Sequence, residues 1–162
     1  DVWILGDFTL RSGATALNYL RQLNGHKHLI LGNHDGFAPS ALAAALLDEV
    51  VSYKELKLQS SGLTAILCHY PLLFWNGSHK GNAIMLYGHI HNADYSNQVT
   101  GLLHNALNVG VDCCDYAPLS EAEVLKSIRA HNQSLRYCLN DSGIRLSPAA
   151  LEQLRSGKFL EC

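Results

Sequence analysis

The residues best equipped for chemistry fall in five short motifs: Gly6-Asp7, Gly32-Asn33-His34-Asp35, Cys68-His69-Tyr70-Pro71, Gly88-His89-Ile90-His91 and Asn108-Val109-Gly110-Val111-Asp112. Each of the first four follows an apolar run. Asp7, Asn33, His34, His69, His89 and His91 therefore offer one carboxylate, one carboxamide and four imidazoles from the ends of separate candidate strands. Taken singly, a Gly-Asp pair is an ordinary turn, and His69 is as readily an ordinary strand-end histidine as a ligand. Taken together, they can converge as a mixed N/O set suited to Mn, Fe, Zn, Co or Ni. His89 and His91 stand at i and i+2, so on an extended segment both point to one side. Gly32 and Gly88 directly precede ligand-type residues, where the missing Cβ lets the backbone turn sharply or approach a ligand. His26, His28, His79, His104 and His131 read instead as surface or structural residues.

To bring such loop residues together, strands must end along one side of a sheet. Val2 to Leu5 is a short apolar run that stops at Gly6-Asp7. Ser12 or Thr15 can cap a helix whose Ala16, Leu17, Leu20 and Leu23 recur at helical spacing, and Asn24-Gly25 ends it. His28 to Leu31 reads as a second strand, and Pro39-Ser40 open an Ala/Leu helix to about Leu47. Val50–Tyr53 and Glu55–Gln59 read as strand, and Ser60-Ser61-Gly62 turns the chain into Leu63–Cys68 as a hairpin. Ala83–Tyr87 is a strand stopped at Gly88. The stretch from His89 to His104 is polar and irregular, and Ala106–Val109 resumes as strand. This order predicts an open α/β sheet, in which rigid strands end in loops that carry the chemistry.

From Pro118 the composition shifts. Ser120 followed by Glu123 is a capping box, and Val124, Leu125 and Ile128 carry a helix toward Leu135 or Leu139. Asn140-Asp141-Ser142-Gly143 reads as a turn, and Ser147-Pro148 opens a last helix with Leu151 and Leu154 that Gly157 ends. The chain thus divides into a core, residues 1–116, and a C-terminal helical segment, residues 117–162, expected to pack on that core or on a partner copy in a homodimer.

Composition bounds the function. A chain of 162 residues amounts to about one domain. Apolar residues make up 48% and charged residues only 16%, so the chain folds rather than staying disordered. Twelve basic against fourteen acidic residues give a net −2, which offers no broad basic surface for long nucleic acid or acidic lipid. No apolar run approaches a membrane span, and the opening DVWILGDF has neither the basic region nor the length of a signal peptide. The five cysteines are odd in number and lack CxxC spacing, which argues against a disulfide framework and for a reducing, cytoplasmic setting.

The ordered GD, GNHD, H and GHxH motifs of residues 1 to about 115 resemble those of calcineurin-like metallophosphoesterases, and NVGVD followed closely by a proline is similar to the small bacterial and phage-type members. The resemblance implies a layered α/β/β/α sandwich with a metal site at the loop-bearing edge of two sheets. It implies that Asp7 bridges two divalent ions, with Mn²⁺ favoured and Fe, Zn, Ni or Co possible. Asn33, His69 and His89 would complete one ion's site and His91 would belong to the other. His34 would sit above the metals as acid or electrostatic stabiliser, with Asp35 orienting its ring. The activity implied is hydrolysis of a small phosphodiester or phosphomonoester by metal-activated water. Tyr70, Trp75 and Lys80 are candidates to meet the substrate.

The family pattern opens with a strand carrying Asp-x-His, and no such triplet occurs in this chain, where Asp1 lies only six residues before Asp7. Three explanations are open: a fragment whose leading segment lies elsewhere, a truncated gene product, or a divergent protein in which another element replaces the strand. An opening inside a strand without an initiator Met favours the first. Without the missing ligands only the Asp7/Asn33/His69/His89 site is complete, so one ion is expected here. The alternative to an enzyme is a truncated or inactive relative acting as a metal-binding or protein-interaction scaffold.

Overall fold

Strand and helix alternate through the first fifty residues. In the computed structural model, which describes residues 1–93, 96, 98, 100–140 and 143–144, these are β1 (Val2–Ile4), α1 (Gly13–Gln22), β2 (Lys27–Ile30), α2 (Ala41–Ala44) and β3 (Glu49–Val51). The three strands form one parallel sheet in the order β1-β2-β3, with Trp3, His28 and Glu49 in register. Ser12 caps α1 by accepting from the Thr15 N–H, and Ser40 caps α2 through the Ala43 N–H. The helix expected to reach Leu47 is a single turn, with Leu46 and Leu47 continuing as bonded turns back to Ala43.

A second sheet follows from β4 (Tyr53–Lys57), β5 (Thr64–Cys68), β6 (Ala83–Tyr87) and β7 (Ala106–Asn108), in that order. β4 and β5 are the expected hairpin, antiparallel, while β5, β6 and β7 run parallel. The long segment between β6 and β7 is not irregular throughout, because Ser96, Gln98 and Thr100 are helical.

The central strands β5 and β6 are buried on two faces, which explains their near-continuous apolar sequences, whereas β4 alternates exposed and half-buried residues. Ala16, Leu17 and Leu20 of α1 pack with Leu29, Ala43 and Leu47 on the outer face of the first sheet. Between the sheets, Ile30 meets Leu58, Ala65, Leu67, Ile84 and Leu86. The alternate residues Ile66, Met85 and Tyr87 form a third cluster on the far face, as the two-residue period of a strand requires.

α3 (Glu121–Cys138) opens with the expected capping box: the Glu123 carboxylate accepts from the Ser120 N–H at 2.8 Å, and the Ser120 hydroxyl faces the Glu123 N–H at 3.3 Å. Its Val124 and Ile128 join the cluster between the sheets. The layering is therefore an α/β arrangement that is loosely sandwich-like. On the far face of the second sheet, Leu72, Trp75, Ile90 and Leu103 from connecting segments flank the third cluster. The short strands β8 (Leu139–Asn140) and β9 (Gly143–Ile144) pair after α3. The helix expected from Ser147 to Gly157 lies outside the described residues.

Among the described residues β1 pairs on one edge only. Beside it lies a cavity of about 970 Å³, lined by Trp3 and Leu5, by Leu67 and Leu86 of the second sheet, and by Val109 and Val124. Asp7, His89 and His91 also line it. No helix among these residues is long and apolar enough to cross a membrane.

Candidate metal centre

All parallel strands present their carboxyl ends to the same loops, where sites form in open α/β sheets. Asp7 follows β1, Asn33 follows β2, His69 follows β5 and His89 follows β6. The structure brings the ligand atoms of Asp7, His69 and His89 within 4.8 Å of one another.

His69 is the hub. It is 1% exposed, and its Nδ1 lies 2.8 Å from the Leu5 carbonyl oxygen. A carbonyl only accepts, so Nδ1 carries a proton, and Nε2 is the ring nitrogen turned toward the cluster. Around that Nε2 stand His89 Nδ1 at 3.1 Å, Asn33 Oδ1 at 3.2 Å and Asp7 Oδ2 at 3.3 Å. Three ligand-type atoms thus converge on one imidazole nitrogen. Two imidazole nitrogens, a carboxylate and a carboxamide suit the borderline transition metals. The donor set fits such an ion.

The backbone is bent to make this approach. Asp7, His89 and His91 all have positive φ, at 50°, 60° and 51°, a conformation that costs non-glycine residues energy and persists where surrounding contacts enforce it. A Cβ at Gly6 would collide with His69 Nδ1, and one at Gly32 would collide with the Asp7 carboxylate. Glycine at both positions is what lets the loops of the first sheet touch His69.

Asp35 serves differently from the role the resemblance implies. It is 3% exposed, and its carboxylate accepts the backbone N–H groups of Asp7 at 2.8 Å, Phe8 at 2.9 Å and Gly32 at 2.9 Å. Instead of orienting the His34 ring, it laces the β1 and β2 loops together. Asp7 returns the brace, because its Oδ1 accepts the His34 N–H at 2.8 Å. This leaves the His34 side chain exposed beside the cluster. Burial, then the neighbouring His69, hold the His89 imidazole below its ordinary value, against the opposing pull of Asp7. A neutral His89 is the form a metal needs.

His91 stands outside the three-residue cluster. Its side chain is 67% exposed and its Nδ1 lies 3.4 Å from Asp112 Oδ2. Tyr70 covers the cluster: its ring meets those of His69 and His89 edge-on, at 5.0 and 4.5 Å, and its hydroxyl donates to Asn33 Oδ1 at 3.3 Å. Trp75 packs against the third cluster with Nε1 buried and unbonded. Lys80 is exposed in a short turn, Ser78–Lys80, before β6, whereas His89 follows β6, so the strand separates them. His28 is also corrected from a surface residue: it stacks on Trp3 at 4.4 Å and is half-buried.

No family model matches the chain. The gene 66 protein of Mycobacterium phage D29 is 29% identical, with 74% of this chain and 71% of the phage protein covered. Among solved structures, the protein of unknown function AQ665 from Aquifex aeolicus is similar with a TM-score of 0.59 and 26% identity, over 78% of this chain and 75% of that one. Neither likeness brings an activity with it.

Proposed function

We propose that this chain carries the metal-holding part of a phosphoesterase site, with one divalent transition-metal ion, Mn²⁺ by preference, held by Asp7, Asn33, His69 and His89. The observation that carries it is the convergence of Asp7, Asn33 and His89 ligand atoms on Nε2 of His69. Lewis acidity toward water and a phosphoryl oxygen is what such an ion supplies when bound. The chain's own residues do the rest. His69 and Asp7 are held by the Leu5 carbonyl and the His34 N–H, so they need little rearrangement on binding. The exposed His34 imidazole offers a proton toward a leaving oxygen, and His91 presents a second nitrogen beside the cavity.

The ordered motifs favour kinship with calcineurin-like metallophosphoesterases and a small phosphoester substrate. The edge of β1 that pairs with no strand among the described residues, and the adjoining cavity, support that family's Asp-x-His strand having its seat there, which would complete a second ion's ligands with Asp7 and His91. A scaffold reading, in which the chain binds one ion without turnover, needs only the cluster itself and so asks less of the geometry.

Calorimetric titration of chelator-treated protein with Mn²⁺, paired with an assay on bis(p-nitrophenyl) phosphate, separates these readings. One ion bound together with hydrolysis that D7N abolishes supports the phosphoesterase. Binding without hydrolysis leaves the scaffold. An absence of Mn²⁺ binding removes both.

A further inference from the structure

The Asn108-Val109-Gly110-Val111-Asp112 motif makes none of the cluster's ligand contacts, yet two of its residues grip the turn that carries His89 and His91. Asn108 donates from Nδ2 to the His91 carbonyl at 3.0 Å. Asp112 Oδ2 accepts the Asn92 N–H at 2.8 Å and lies 3.4 Å from His91 Nδ1. Asn108 is itself steadied, because its Oδ1 accepts the Gly110 N–H at 3.0 Å. A Cβ on Gly110 would come within 2.9 Å of Asp112 Oδ1 and 3.1 Å of Asn108 Oδ1. The spacing Asn-x-Gly-x-Asp is therefore what allows both polar side chains to reach one turn.

The gripped turn is the strained one. His89 and His91 both have positive φ, and the turn is otherwise joined across its backbone by the Ile90 N–H bond to the Gly88 carbonyl at 2.7 Å. Such a conformation holds only where outside contacts over-determine it. We propose that Asn108 and Asp112 are positioning residues: they lock the Gly88–Asn92 turn, and Asp112 keeps the His91 proton on Nδ1 so that Nε2 is left as a free lone pair. The lock also fixes His89 against His69. This inference builds on the metal-binding reading, but its central readout needs no metal.

Long-range proton–nitrogen spectra of nitrogen-15-labelled, metal-free protein in alkaline buffer report which ring nitrogen of each histidine is protonated, and the H91Q spectrum identifies the His91 signals. The expected result is a proton on Nδ1 in the wild type. D112A should move it to Nε2, the form preferred by a free imidazole ring. D112N should keep it on Nδ1, since the amide oxygen still faces the His91 ring and accepts the Asn92 N–H. Mn²⁺ affinity by calorimetry should fall severalfold in D112A, because the turn that carries the ligand His89 loosens, and far less in D112N.

A wild-type proton on Nε2, or D112A indistinguishable from wild type in ring protonation or in Mn²⁺ affinity, overturns the proposal. If D112A fails to fold, the wild-type and D112N spectra decide: a proton on Nδ1 in both supports the proposal, and a proton on Nε2 in either overturns it. Wild-type protein that binds no Mn²⁺ while His91 is protonated on Nδ1 removes the metal reading and supports the assignment of Asp112.

Discussion

His89 and His91 sit on one turn, but they belong to two differently built regions. The Asp7/Asn33/His69/His89 region draws on loops from both sheets around a hub that is 1% exposed. Its hub is held by a backbone carbonyl, and its loops are braced by a buried carboxylate. The His91 region is a 67% exposed ring beside the cavity, with one carboxylate for company. The difference teaches that ligand atoms are held together where the packing of two sheets enforces it. Where solvent reaches the ring, a single neighbouring motif has to supply the order.

The largest effect expected from breaking this contrast is at the hub. H69A should abolish calorimetrically detectable Mn²⁺ binding, whereas H91A should weaken it only partly. Equal losses in the two variants would show that the regions are not distinct. Next comes the brace. D35A leaves three backbone N–H groups without their acceptor and should cost about 3 kcal/mol of stability, read from urea unfolding. D35N, which keeps one oxygen acceptor, should lose less.

A smaller effect separates the regions by pH. The His89 imidazole is held below the ordinary 6.5, mainly by burial, so below that value the unfolded chain takes up a proton that the folded cluster resists. Stability of the metal-free protein should therefore be fully present above about 6.5 and decline as pH falls from there toward the depressed value. H89Q should flatten that part of the unfolding profile. The smallest effect is expected far from both regions: K80A should leave Mn²⁺ affinity and any phosphodiester hydrolysis unchanged, because Lys80 sits before β6 and the cluster after it. A clear loss in K80A would mean that the turn at Ser78–Lys80 reaches the site.

Much of the frame was legible beforehand because its signals are local. β6 follows from an apolar run ended by Gly88, the α3 start follows from Ser120 and Glu123, and the β4–β5 hairpin follows from a Ser-Ser-Gly turn. α2 came out shorter than its Ala/Leu content suggests, since helix propensity over so few residues yields to the turns that lead into β3. His28 misled because a histidine beside a lysine looks solvent-bound, while its register opposite Trp3 turns it toward a stacked neighbour. Asp35 misled for a similar reason: adjacency to His34 suggests a side-chain partnership, but the backbone N–H groups it binds leave no trace in side-chain identity.

By itself the sequence determined the kinds of donor atoms, their places at strand ends, and the glycines that let loops approach one another. These depend on residue type and short spacing, which periodicity and turn chemistry make readable. Only the tertiary structure decided that Asn33, His69 and His89 face one point, and that the Leu5 carbonyl takes up His69 Nδ1 and turns Nε2 toward the cluster. It also decided that Asp35 and Asp112 brace loops, and that Lys80 falls at the far end of its strand. Those outcomes depend on which strands pair and on where backbone N–H and carbonyl groups point. Every residue carries such groups, so their effect emerges only when the two sheets are packed together.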